Sequence, residues 1–173
     1  ASVIADLRIG APAYGGSTIP QQLIRSTFLT TQKTISRKVR EIILALELDR
    51  RYSKDQIIEW YLNQVPFGQN TYGVEAASQT YFKKSVSDIS LAQMATLTAL
   101  IAGPSYYSPY GSHKDELLER KDYVLSRMVK TGYITQEEAN EAKNEELNFS
   151  EVLQTIKAPH FTLWVKDYLD NRY

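Results

Sequence analysis

Apolar residues along this chain recur every three to four positions and almost nowhere on alternate ones, so the sequence predicts helices and little sheet. Several helix starts carry a Ser or Thr followed three residues later by Gln or Glu, the pattern that satisfies orphan backbone donors. Thr18 with Gln21 opens one helix, and Pro20 falls in its first turn, where a missing N–H costs little. Ser53 with Gln56 opens a second, with Ile57, Ile58, Tyr61 and Leu62 expected on its inner face. Ser90 with Gln93 opens a third, with Met94, Leu97, Thr98 and Ile101 as its apolar stripe. Leu117, Leu118, Val124, Leu125 and Met128 make a fourth, ended by Gly132, and Thr135 with Glu138 begins a short acidic helix. The Gly15-Gly16 pair and the stretch from Gly103 to Gly111 read as loops, and residues 148–160 as a linker before an apolar pattern from Phe161 to Tyr173. The expected fold class is all-α.

At 173 residues the chain has the length of one domain, and 43% hydrophobic with 23% charged residues is the balance of a globular protein. Twenty basic residues offset twenty acidic ones, which argues against a dedicated nucleic-acid binder. With no cysteine, disulfides and thiolate metal sites are excluded. No apolar run reaches the roughly 18–20 residues of a membrane span. The longest, Ile42 to Leu48 and Met94 to Ala102, read as buried helices. The sequence opens on Ala1, and Val3, Ile4 and Leu7 are spaced like the end of a helix, so a piece of a longer protein is expected.

The helix around residues 36–50 is apolar on nearly every side (Val39, Ile42, Ile43, Leu44, Ala45, Leu46, Leu48), which predicts a buried central helix. Glu41 lies inside that run, one turn after Arg37 and three residues after Lys38. A buried carboxylate is costly unless paired, so spacing alone favours a structural ion pair with Arg37. Between Asp6 and Glu41 there is no acidic residue, while Arg8, Arg25, Lys33, Arg37, Lys38 and Arg40 all fall there. Such a one-signed stretch, beside a Gly-Gly turn and a helix start, suits an anionic ligand or a solvated basic face. Asn63, Gln64, Gln69 and Asn70, with Tyr81 and Phe82 following, have the composition of a sugar cleft and equally of an ordinary helix–loop–helix. His113 and His160 lack partners at metal-ligand spacing.

Gly15-Gly16-Ser17-Thr18-Ile19-Pro20-Gln21-Gln22-Leu23 resembles the G-G-S-T-[IL]-T-Q-Q motif of peptidoglycan glycosyltransferases, the domains of class A bifunctional penicillin-binding proteins that polymerise lipid II. Arg37-Lys38-Val39-Arg40-Glu41 resembles their R-K-x-x-E motif. Tyr61-Leu62-Asn63, Gly68, Gly73-Val74, Ala76-Ala77 and Tyr81-Phe82-Lys83-Lys84 follow a third, and Leu91-Ala92-Gln93 through Pro104 to Tyr107-Ser108-Pro109 a fourth, all in family order. Three departures stand out. The family's first motif, E-D-x-x-F-x-x-H-x-G, whose glutamate is credited as the base, is expected before Ala1. Pro20 replaces a Thr, and Arg25-Ser26 replace a closing Lys-Asn; Arg keeps the charge with different geometry.

The resemblance implies a lysozyme-like glycosyltransferase domain over residues 1–150, truncated on its N-terminal side, with 151–173 leading towards a transpeptidase domain of the same parent chain. It implies attack by the 4-hydroxyl of lipid II on the anomeric carbon of the nascent glycan strand, with inversion and release of undecaprenyl pyrophosphate. Glu41 is the catalytic candidate carried over. Ser17, Thr18, Gln21, Gln22, Arg25, Arg37, Lys38 and Asn63 are the substrate-binding candidates, with Arg25, Arg37 and Lys38 on the diphosphate. A divalent cation (Mg or Mn) bridging the phosphates through Glu41 is the expected cofactor. Location at the outer face of the bacterial cytoplasmic membrane is implied, with an anchor elsewhere, and no nucleic-acid partner. The match places Glu41 in a wet cleft, so Glu41→Gln should leave the fold nearly intact. The segment Thr27 to Thr31, with Ile35 close by, is expected to be a helix-poor, lipid-contacting stretch. Without the first motif the chain alone is expected to be nearly inactive, since a general base is worth about 10²–10⁴-fold. Two alternatives share these features: a lysozyme-like muramidase with a catalytic glutamate, and a non-catalytic helical scaffold, which would need a repeat of about 34 residues that is not visible.

Overall fold

A computed structural model describes residues 17–28, 34–151, 164, 165, 167–169 and 172. The expected helix end at Val3 to Leu7, the Gly15-Gly16 loop, the stretch from Leu29 to Lys33, residues 152–160 of the expected linker with His160, and much of the Phe161–Tyr173 pattern lie outside the described residues.

Among the described residues seven α-helices carry the fold: α1 (Ile19–Phe28), α2 (Ile35–Arg51), α3 (Lys54–Gln64), α4 (Val74–Phe82), α5 (Leu91–Leu100), α6 (Lys114–Lys130) and α7 (Gln136–Asn144). A two-stranded antiparallel hairpin, β1 (Pro66–Gly68) with β2 (Thr71–Tyr72), joins α3 to α4. The Ser53, Ser90 and Thr135 capping boxes are all formed, so three helix starts are set by contacts local in sequence. Helix α6 stops where Gly132, at φ +77°, lets Tyr133 N–H reach Met128 O and its own N–H reach Val129 O.

The principal core is drawn from the stretch between Val65 and Ala142. Phe67, Ala77, Tyr81, Phe82, Ile89, Leu97, Leu100 and Leu117 form one buried cluster, and Ala92, Ala95, Leu125, Ala139 and Ala142 a second between α5, α6 and α7. The alanines of α5 let α6 approach closely. This shifts the expected stripe of α5: Leu97 is buried, but Met94 and Thr98 face outward, while Ala92, Ala95, Thr96, Ala99 and Leu100 face in. Periodicity identified the helix but mistook its phase. On α3, likewise, Ile57 is buried and Ile58 exposed.

The expectation of a buried central α2 is also corrected. Only Glu41 and Ala45 are fully buried, whereas Val39, Ile43, Leu44 and Leu46 are exposed. Among the described residues, α1 and α3 are the helices packed on α2, and they cover one side of it. Thr27 and Phe28 belong to α1, so this part of the expected helix-poor stretch is helical. Two arginines in the last turn of α2, Arg50 and Arg51, bind Glu47 and hold its carboxyl down at about 2.

The first residues of the expected linker pack on the core. Ser150 N–H donates to Tyr81 O at 2.8 Å, Tyr110 donates to Ser150 O at 2.6 Å, and Phe149 lies against Phe82. Tyr81 is fully buried at this junction and donates its hydroxyl to Phe67 O at 2.7 Å. Burial, with Tyr110 beside it, pushes its hydroxyl up to about 12. Between pH 10 and 12 the unfolded chain releases a proton that the folded state keeps, so this contribution is present below pH 10 and lost as pH rises. Tyr81→Phe should cost about 1–3 kcal/mol at neutral pH by stranding the Phe67 carbonyl, and should flatten the alkaline fall in stability. Urea unfolding at neutral and alkaline pH checks both.

Candidate functional site

Helices α1 and α2 bring together residues that are remote in sequence. Thr34 caps α2 by accepting from Arg37 N–H at 3.1 Å, which places Arg37, Lys38 and Glu41 on one face in its first two turns. Glu41 is completely buried. Its Oε2 accepts from Arg37 Nη1 at 3.0 Å, and its Oε1 accepts from Lys38 Nζ. Lys38 Nζ also donates to Ser17 Oγ at 3.1 Å and to Gln21 Oε1 at 3.4 Å, across the start of α1. Two cations therefore converge on one carboxylate, leaving a net positive charge. The Lys38 side chain stays 37% exposed and that of Arg37 16% exposed, so the excess charge reaches solvent mainly through Lys38.

This arrangement corrects the expectation of a wet carboxylate. Glu41 lies beneath its cations with no face open to water, as the bland ion-pair reading of its spacing required. Its two oxygens hold Arg37 and Lys38. Among the described residues no three His, Cys, Asp or Glu side chains stand close enough to hold a metal ion. Both oxygens of Glu41 already face cations, so its surroundings do not fit a divalent-ion ligand.

The remaining candidates divide. Gln22 is part-buried, donating through Nε2 to Ser17 O at 3.1 Å. Thr18 spends its hydroxyl on the cap of α1, accepting from Gln21 N–H at 3.4 Å, and lines a cavity of about 370 Å³ with Pro20, Asp49, Lys54 and Ile57. Arg25 is exposed on α1. Asn63 is exposed at the end of α3, where its backbone meets Gly73, and no described hydrogen bond joins it to the Lys38 cluster. His113 stacks on Tyr106, its ring centroid 4.0 Å away.

One residue that reasoning from sequence did not place in the site is Tyr61 of α3, whose hydroxyl donates to Gln22 Oε1 at 3.2 Å. Burial pushes its hydroxyl pKa above the ordinary value, and the Arg25 cation partly opposes that. Its place in the Tyr61-Leu62-Asn63 motif was the available signal. A second link between α1 and α3 joins Thr27 Oγ1 to Gln64 Oε1 at 2.6 Å.

Comparison with known proteins bears on this geometry. The family described as Transglycosylase matches residues 1–129. Penicillin-binding protein 1A of Aquifex aeolicus is 41% identical over 172 residues, covering 99% of this chain and 24% of the relative. Penicillin-binding protein 1F of Bacillus subtilis is 42% identical over 169 residues, covering 98% of this chain and 23% of the relative. A crystal structure of penicillin-binding protein 1A from Haemophilus influenzae superposes with a TM-score of 0.55 at 34% identity, over 90% of this chain and 20% of that one. The chain thus spans about a quarter of the length of these curated relatives.

Proposed function

This chain belongs to the transglycosylase family of class A penicillin-binding proteins, with its mostly helical, lysozyme-like fold, and we propose that it polymerises lipid II into peptidoglycan glycan strands. The observation that carries the reading is the cationic cluster: Lys38 Nζ, half-exposed, anchored by the buried Glu41 and held against Ser17 and Gln21 of another helix. A glycosyl transfer with a diphosphate leaving group needs positive charge fixed where negative charge develops. Charge held in place by a buried carboxylate need not reorganise during the reaction.

The three N–H bonds of Lys38 are all engaged, so a phosphate oxygen would replace the longest of them, that to Gln21. Gln21 and Ser17 are then free to meet the phosphate or the sugar next to it. Arg37 supports the same charge from within, and Arg25 on α1 adds an exposed cation. Glu41 is a positioning residue here: it holds Arg37 and Lys38. Thr18, Gln22 and Asn63 complete the proposed substrate contacts. The 4-hydroxyl of the acceptor gives up its proton to the base expected of the family's first motif and attacks the anomeric carbon of the donor strand, the anomeric C–O bond breaks with inversion, and undecaprenyl pyrophosphate takes the electron pair. The residues described do not fit a resident metal at Glu41, so no step is assigned to one. Action at the outer face of the bacterial cytoplasmic membrane, in a chain that also carries a transpeptidase domain, belongs to the same proposal. Among the described residues no helix is long and apolar enough to cross a membrane.

The test is to incubate the full-length protein with labelled lipid II in detergent. Polymer with release of undecaprenyl pyrophosphate is expected. New reducing ends from finished glycan, with no polymer from lipid II, would replace this reading by the muramidase one.

A further inference from the structure

We propose that Tyr61 is a positioning residue for glycosyl transfer, acting through Gln22 and Ser17 on the ammonium of Lys38; this rests on the function proposed above. The geometry is a continuous chain of hydrogen bonds from α3 to the cationic cluster. Tyr61 O–H donates to Gln22 Oε1 at 3.2 Å, Gln22 Nε2 donates to Ser17 O at 3.1 Å, and Ser17 Oγ accepts from Lys38 Nζ at 3.1 Å.

The first bond holds the second group in place. A primary amide is nearly symmetric in shape, and only its partners determine which end is oxygen. The Ser17 carbonyl, which only accepts, takes Nε2, and the Tyr61 hydroxyl donates to the Oε1 left at the other end and keeps the amide against Ser17. Reversed, the Gln22 oxygen would face the Ser17 oxygen and repel it. Ser17 lies before the first turn of α1, where no helical hydrogen bond from its own carbonyl holds it, so Gln22 is its described side-chain anchor. With that peptide loosened, Lys38 loses a fixed acceptor and its ammonium is less well aimed.

The consequence is specific. Tyr61 touches no substrate in this scheme, so its loss should weaken binding of the diphosphate without removing any reacting group. Removal of one hydrogen bond of this kind changes an equilibrium by roughly threefold to tenfold. Tyr61→Phe in the full-length protein is therefore expected to lower kcat/KM for lipid II by about that factor and to leave the melting temperature nearly unchanged. Gln22→Ala should lower kcat/KM by at least as much. The double variant should be no worse than Gln22→Ala alone, because Tyr61 then has nothing left to hold. Additive effects of the two substitutions, or a Tyr61→Phe protein with kcat/KM unaltered, would overturn the proposal. So would a large fall in melting temperature with normal kinetics in the folded fraction, which makes Tyr61 structural. Failure of the unsubstituted protein to polymerise lipid II would instead defeat the functional reading.

Discussion

Glu41→Gln is expected to lower lipid II polymerisation by orders of magnitude and to destabilise the domain at the same time. The structure argues for both. The carboxylate is wholly buried and neutralises Arg37 at 3.0 Å together with Lys38. An amide of the same shape leaves two neighbouring cations facing a neutral group, one of them nearly buried. Breaking a fully buried pair by removing one partner costs about 3–5 kcal/mol. Lys38 can turn towards solvent, so the expected cost is lower, about 1–3 kcal/mol. The same rotation removes the ammonium from its place beside Ser17 and Gln21, and this is why activity should fall further than stability alone would lower it. Turnover measured at a temperature where the variant is fully folded, alongside its thermal unfolding curve, separates the two effects. Normal turnover in a folded Glu41→Gln protein would show that the fixed charge pattern is dispensable, and the role given to Glu41 would be wrong.

Gly73→Ala should be among the most disruptive single-methyl changes at the described residues. Gly73 adopts φ +86°, donates its N–H to Val65 O at 3.1 Å, and starts α4 directly against the end of α3. A Cβ there would lie 2.8 Å from the Asn63 carbonyl oxygen, which is backbone and has no rotamer to change. Left-handed strain of about 1–2 kcal/mol adds to that collision. A loss of about 3 kcal/mol is expected, a fall of roughly 6–12 °C in the domain's transition at 2–4 °C for each kcal/mol. Gly132→Ala is the control: its φ of +77° is also positive, but nothing lies within 4 Å of the added carbon, so about 1 kcal/mol should be lost. Equal effects at the two glycines would mean that the close approach of Asn63 is not tight. Because that approach also positions Asn63, a folded Gly73→Ala protein should bind substrate less well.

The contrast between these two sites shows what could be read from the chain. Glu41 with Lys38 and Arg37 was legible because three and four residues along a helix is one turn, so residue order alone puts the groups on one face. The capping boxes at Ser53, Ser90 and Thr135 were legible for the same reason: donor and acceptor are three residues apart and close a ring locally. Resemblance to family motifs added Ser17, Gln21 and Gln22 as site residues, but not the bonds between them. The Ser17–Lys38 contact spans 21 residues and the Tyr61–Gln22 contact 39, and no local rule fixes how α1 crosses α2 and α3.

What faces inward was likewise decided by packing. Periodicity marks an apolar stripe but says nothing of what lies against it. Met94 and Val39 are as apolar as their buried neighbours, yet both are exposed. On α5 the small side chains won the inner face, because Ala92, Ala95 and Ala99 let α6 come close enough to bury Leu117 and Leu125 as well. On α2 the inner face went to Glu41, a residue no hydrophobic pattern would choose. Its burial is supported by two cations whose own positions depend on the cap at Thr34 and on α1. Helix identity and family were thus settled by residue order, since both rest on interactions within a turn or on linear motifs. The direction each helix faces, and the aim of Lys38, were settled by contacts between segments that only the folded chain brings within hydrogen-bonding distance.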